Sequence, residues 1–320
     1  MSYEKSNCIT PVDKEEYFVR LIKKNRIHDL FILDYLYGNG NELSAKFWST
    51  RSSSRLAFDL YSWIVEKENV KYFKFEYKLP GVITSKSGSS GVPNLDVYFE
   101  IDNNIVFIEN KYTEKSDFKY LDLKRVQLNG EKAKPKLSEA YYLDNKYGFS
   151  KLTLTERFYD NERIGKLFST YCYEINEVIE ELQKKDKKEC AWFDAKQETC
   201  HLFGIIFYLL GTKAEHINKR KEELRNKKIT LCHIFWKMEK DNDSAEFPIL
   251  FKEKAEKLIN EILENNGFYC KFEFKILTVQ NLIEENVDFF GLSFKDAYAY
   301  GTTTPLKDQM VQYKITTQRS

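Results

Sequence analysis

Apolar side chains recur at helical spacing between Lys14 and Leu36, at Phe18, Leu21, Ile22, Leu30, Ile32, Leu33 and Leu36, until Tyr37-Gly38-Asn39-Gly40 breaks the pattern. One or two N-terminal helices are predicted. Ser52-Ser53-Ser54 then precedes Leu56, Leu60, Trp63 and Ile64. Hydroxyls that accept from the free N–H groups of a helix start, followed by an apolar stripe, predict an amphipathic helix to about Glu68. Beyond it the period falls from that of a helix to that of a strand. Tyr72 to Leu79 alternates and stops at Pro80-Gly81. A flexible loop, Ser85 to Gly91, leads to strands at Leu95–Ile101 and Ile105–Tyr112, and Asp102-Asn103-Asn104 between them tolerates the positive φ of a tight hairpin.

Helical material is expected from Leu121 to about Lys188, interrupted around Tyr147 to Leu154. Asp194 to His201 reads as a short helix, and the apolar run Leu202–Leu210 as a buried strand. A strand at Ile229–Trp236, a helix at Phe247–Asn266 and a strand at Tyr269–Val279 follow; from Phe289 to Ser320 the periodicity fades. This order implies an α/β fold around a central mixed sheet flanked by helices. The expected division is an N-terminal helical segment at 1–50, a core domain at 51–285 with a helical insertion at about 115–190, and a C-terminal tail at 286–320.

Composition changes this picture little. With 42% hydrophobic and 31% charged residues, and only 13 Gly and 6 Pro in 320 residues, the chain is built to fold rather than to stay disordered. A net charge of +1 gives no global attraction to a polyanion, so any such partner must be met by a local patch. The six cysteines are scattered without a CxxC pair and the N-terminus lacks a signal segment, so reduced thiols in a cytoplasm are expected. Cys200-His201 and Cys232-His233 are the only hints of zinc, and their spacing is irregular for it. The longest apolar run is too short to span a membrane.

Metal-assisted phosphodiester hydrolysis needs carboxylates converging on one point, with a cation near the attacking water or the phosphate. The hairpin supplies both. Glu109 and Lys111, two apart on a strand, leave the same face. A two-residue turn at Asp102-Asn103 places Asp96 opposite Glu109, and one at Asn103-Asn104 places it opposite Lys111; both registers put Asp96 on that face. Ile105 and Phe107 share it, so the charges lie under cover. Val97, Phe99, Val106 and Ile108 on the other face suit a core. Two further strand-like Glu-x-Lys triplets, Glu76-Tyr77-Lys78 and Glu273-Phe274-Lys275, lack an Asp on a preceding hairpin partner.

Asp96 with Glu109-Asn110-Lys111, in helix, strand, hairpin, helix, strand order from roughly Ser52 to Leu210, resembles the PD-(D/E)XK nuclease superfamily. Phe75-Glu76-Tyr77, Asn94-Leu95-Asp96 and Glu109 to Glu114 look like a bacterial restriction-endonuclease-like branch. Asn94 stands where the naming motif's Asp would be sought, so Asp96 is taken as the first carboxylate. The resemblance implies a restriction-endonuclease-like core and a Mg²⁺-dependent endonuclease, with Mn²⁺ as substitute, acting on DNA in bacterial restriction or anti-phage defence. Asp96, Glu109 and the backbone carbonyl of Asn110 would hold the metal, and Lys111 would orient the attacking water and stabilise transition-state charge. Glu76, on what is read as a central strand, is the expected further carboxylate, with Asp59 as the alternative. Such nucleases often place a Gln on a nearby helix, here Gln197, to touch the catalytic lysine or a phosphate. His201 shares its helix face.

Lys132-Lys134-Lys136, Lys184-Lys185-Lys187-Lys188 and Lys219-Arg220-Lys221 with Arg225, Lys227 and Lys228 read mostly as solvated helix faces, with some available to DNA phosphates. Ser52 to Arg55 is a further phosphate candidate, though the serines already suffice as helix caps. Cleaving both strands commonly needs two sites, so a homodimer is expected, with no membrane association. A non-catalytic nucleic-acid-binding or interaction protein of the same fold is the second reading. A nucleotide-using transferase finds no Walker or dinucleotide loop.

Overall fold

In the computed structural model, the described residues are 33–35, 47, 52–79, 83–84, 90–91, 93–111, 192–193, 195–211, 217–237 and 241–294. Most of the N-terminal segment, the insertion at about 115–190 and the tail beyond 294 therefore lie outside them. The elements are α1 (Ser53–Tyr61), a 3-10 turn (Ser62–Glu66), β1 (Val70–Lys78), β2 (Ile83–Thr84), β3 (Ser90–Gly91), β4 (Asn94–Ile101), β5 (Asn104–Lys111), α2 (Ala195–Leu210), α3 (Ile217–Glu223), β6 (Lys228–Phe235), α4 (Glu246–Asn265), β7 (Lys271–Thr278) and α5 (Val279–Ile283). Five strands form one mixed sheet in the order β1-β4-β5-β6-β7. The first three are antiparallel neighbours; β5, β6 and β7 run parallel.

Helices cover both faces. Strand alternation sends Ile105, Phe107, Ile229, Leu231 and Phe235 into a core layer with α2 and α4, and Val97, Phe99, Val106, Ile108, Cys232 and Ile234 into a second layer with α1 and α5. Phe289, Leu292 and Phe294 are buried in the second layer, so the start of the expected tail is part of the core. At the two edges, Asp34 accepts the Phe75 N–H (3.0 Å), and Asn260 and Glu256 of α4 take the N–H groups of Phe272 and Phe274 (2.9 and 2.8 Å). These bonds fill outward-facing positions that strand addition needs.

Two expectations are corrected. Leu202–Leu210 is not a strand but the body of one continuous helix, α2, that begins at Ala195. It is apolar on nearly every side because it is wedged into the core, with Leu202, Phe203, Ile205, Ile206, Phe207, Leu209 and Leu210 all buried, and a helix buried all round loses the one-sided stripe by which helices are read. Among the described residues β1 is an edge strand, not a central one, since there it pairs only with β4.

Candidate functional site

Three side chains expected to act together do meet. The hairpin pairs Ile101 with Asn104 and Val97 with Ile108, with Asp102 in a left-handed conformation (φ 51°) at the turn. Continued one step, that register sets Asp96 opposite Glu109. The backbone ladder, however, stops at Val97, and the Asp96 carboxylate itself accepts the Asn110 N–H at 2.6 Å. The strands part at this point, and a side chain replaces the ladder.

The same place is marked on β1. Phe73 and Phe75 pack into the α1 layer while Tyr77 and Leu79 pack into the α2 layer; on β4, Val97 and Phe99 face the α1 layer and Leu95 the other. Both strands thus invert their alternation, at Glu76 and at Asp96. Glu76 has φ 47°, a left-handed backbone that costs a non-glycine residue about 1–2 kcal/mol. Its buried carboxylate accepts from Ser54 Oγ of α1 (3.2 Å). Asp59, the alternative acid, lies on α1.

Glu109 and Lys111 are both buried, at 4% and 9% exposure, at the end of the β5 row that begins with Ile105 and Phe107. Lys111 Nζ lies 3.0 Å from Glu109 Oε1. Gln197 closes the group: its Oε1 accepts from Lys111 Nζ (2.6 Å) and its Nε2 donates to Glu109 Oε1 (2.5 Å). The Asn110 side chain points to the opposite face, where Oδ1 accepts from the Tyr61 hydroxyl at 3.0 Å. Only the Asn110 backbone belongs to the site.

Electrostatics follow from the crowding. Burial, then the neighbouring Glu109 and Glu76 carboxylates, push the Asp96 carboxyl well above its ordinary range, against the opposing Asn110 N–H and Lys111. Like charges gathered this closely are relieved by a cation.

Gln197 and His201 do share a face of α2, and that helix also carries a residue the sequence reading passed over. Glu198, fully buried, places Oε1 2.7 Å from Nδ1 of the equally buried His233. His233 pairs in register with Glu109 across β5 and β6. Burial would raise Glu198, but the charge of His233 and then His201 outweigh it and hold its carboxyl below the usual range. No local motif signals Glu198 and His233, since 35 residues separate them. Cys232, its side chain in the other core layer, does not join His233, and a zinc pair does not form there.

Among the expected phosphate contacts, the Arg55 backbone N–H donates to Ser52 Oγ (3.2 Å), so Ser52 acts as the helix cap. Lys228 opens β6 beside Asn104, whereas Lys111 pairs with Phe235 at the strand's other end. The Lys219 to Lys228 cluster is therefore remote from the site. Arg220 is committed to Glu223 and the Tyr208 carbonyl (2.6 and 2.9 Å). The two other lysine clusters lie outside the described residues.

No family model matches the chain, nor does any curated protein or solved structure. Among the described residues no helix is long and apolar enough to cross a membrane, and no three His, Cys, Asp or Glu side chains stand ready as a metal cage.

Proposed function

We propose that this chain is a Mg²⁺-dependent phosphodiesterase of the PD-(D/E)XK type that cuts DNA, with Asp96 and Glu109 as metal-holding carboxylates. The observation that carries this reading is the convergence of Asp96, Glu109, Lys111 and Gln197 where β4 and β5 separate.

The donor set fits such an ion. Mg²⁺ is usually held by one or two carboxylates together with water and substrate phosphate, so a complete protein cage is not required. Two crowded carboxylates, one pushed toward its neutral form by burial and then by the other's charge, are the chemistry a divalent cation stabilises. When bound, the ion supplies charge neutralisation and a more acidic water. Glu76 and the Asn110 carbonyl are the further oxygen donors. Lys111 places an ammonium at the reacting phosphate, where positive charge favours the transition state. Gln197 sets the direction of that ammonium and of Glu109 at once. Ile105 and Phe107 beneath the row exclude water and strengthen these interactions.

The resemblance extends the proposal to a restriction-endonuclease-like fold and to bacterial restriction or anti-phage defence, and the two sites that cutting both strands needs extend it to a homodimer. A non-catalytic binding protein of this fold is the second reading, favoured by one observation: Glu109 Oε1 is already engaged by both Lys111 and Gln197. Incubating the purified protein with supercoiled plasmid and Mg²⁺ or Mn²⁺ separates the two. Metal-dependent cutting lost in both Lys111→Ala and Asp96→Ala supports hydrolysis; binding without cutting refutes it.

A further inference from the structure

The Lys111–Gln197–Glu109 group leaves the second Glu109 oxygen to another neighbour. His201 Nε2 lies 3.7 Å from Glu109 Oε2 and 3.0 Å from the carbonyl oxygen of Asn94. A carbonyl only accepts, so Nε2 carries the hydrogen and the ring orientation is set. One imidazole thereby spans the two strands that carry Asp96 and Glu109, just past the point where their own ladder ends at Val97 and Ile108.

Behind the ring, Nδ1 faces Glu198 Oε2 at 3.7 Å, and neither atom has a hydrogen-bond partner among the described residues. Glu198 is anchored through its other oxygen to His233 Nδ1 (2.7 Å), and His233 Nε2 is 3.2 Å from the Trp192 carbonyl. Trp192 stacks on Phe235 with ring centroids 3.8 Å apart, next to the end of β6. All four residues of this chain are at least nine-tenths buried. A fastener of α2 to β6 would need only the Glu198–His233 pair. The chain instead continues to Glu109 and to the backbone two residues before Asp96.

We propose that His201 and Glu198 are positioning residues: His201 holds Glu109 and the parted end of β4 at metal-holding separation, and Glu198, braced by His233, holds His201. The proposal rests on the reading of Glu109 as a metal ligand. Neither residue touches substrate. Their effect is on how well the carboxylates are arranged before a divalent ion arrives, and partners behind a metal ligand typically govern metal affinity by about 10–100-fold.

The test is Mn²⁺ titration calorimetry on the full chain, with thermal unfolding in chelator as a check on folding, for wild type, Glu198→Gln, His201→Gln, His201→Leu and Glu198→Gln/His201→Leu. Glu198→Gln and His201→Leu are expected to weaken Mn²⁺ by about 10–100-fold. His201→Gln, which keeps an N–H donor, recovers part of that loss. The double variant binds no worse than His201→Leu alone, because Glu198 acts through the ring it holds. Wild-type affinity in His201→Leu, equal affinity in the Gln and Leu variants, or additive losses in the double variant overturn the brace and leave the metal reading standing. No Mn²⁺ binding by wild type overturns both. Should Glu198→Gln fail to fold, the contrast between the two His201 variants decides.

Discussion

Replacing Gly204 by Ala tests whether the placement of α2 sets the site. Gly204 lies on the helix face of Gln197 and His201, seven and three residues further along. A Cβ there would sit 2.7 Å from Leu79 Cβ, 2.8 Å from Leu79 Cδ1 and 3.0 Å from Pro93 Cγ. Carbon atoms pack at about 3.5 Å or more, so the helix and the Leu79–Pro93 crossing must separate by ~0.8 Å. No rotamer change relieves a clash between two Cβ atoms. Overpacking costs about 1–3 kcal/mol, and alanine's helix preference over glycine returns about 1 kcal/mol. The net loss of stability is then only ~0–2 kcal/mol. The consequence at the site is larger. Gln197 bonds Glu109 at 2.5 Å and Lys111 at 2.6 Å, and a displacement of ~0.8 Å stretches both to the limit of a hydrogen bond. Misplacement on this scale lowers turnover by about 10²-fold. Plasmid cleavage with Mg²⁺, measured beside thermal unfolding, should therefore show a large loss of rate with a small loss of stability. A variant that folds and cuts at the wild-type rate would refute the claim that close helix approach sets the site.

Asp96→Asn should stabilise the metal-free protein at neutral pH. The folded-state carboxyl is raised above its ordinary 3.8, so its contribution is full below that value and lost as pH rises through the folded pKa; the gain from Asn should vanish toward acid. Chemical denaturation in chelator across pH measures this, and an Asn variant no more stable than wild type contradicts it. Glu198 has the opposite sign. Held at about 2 rather than 4.5, it adds stability above 4.5 that disappears as pH falls toward 2, so Glu198→Gln should lose stability at neutral pH and flatten that acid limb. Tyr61→Phe strips the Asn110 Oδ1 of its donor in a fully buried setting and is expected to cost about 1–3 kcal/mol; unchanged unfolding would count against that bond.

Much of the hairpin was legible from sequence. Glu109 and Lys111 two apart, an Asp before a turn of Asp and Asn, and Ile105 and Phe107 on the charged face foretold both the meeting and its cover, because strand alternation and hairpin register are local rules. Register was legible only to within two residues of the partner strand; the pairing of Ile101 with Asn104, with Asp102 left-handed at the turn, is the Asp96–Glu109 alternative. The run after His201 misled because burial on all sides erases periodicity. Glu76 was placed on a central strand because strand order is not encoded in any one strand.

The sequence alone determined that these segments are strands, that a tight turn falls within Asp102-Asn103-Asn104, and that Glu109 and Lys111 would share a face, since each depends on neighbours a few positions away. Tertiary structure decided that β1 lies at the edge of the described sheet, that Glu76 and Asp96 mark a joint inversion of two strands, and that Gln197 and His201 reach Glu109 with Glu198 and His233 behind them. Those contacts join segments far apart in the chain, and their geometry comes from how helices and strands pack, down to the absence of a single methyl group at Gly204.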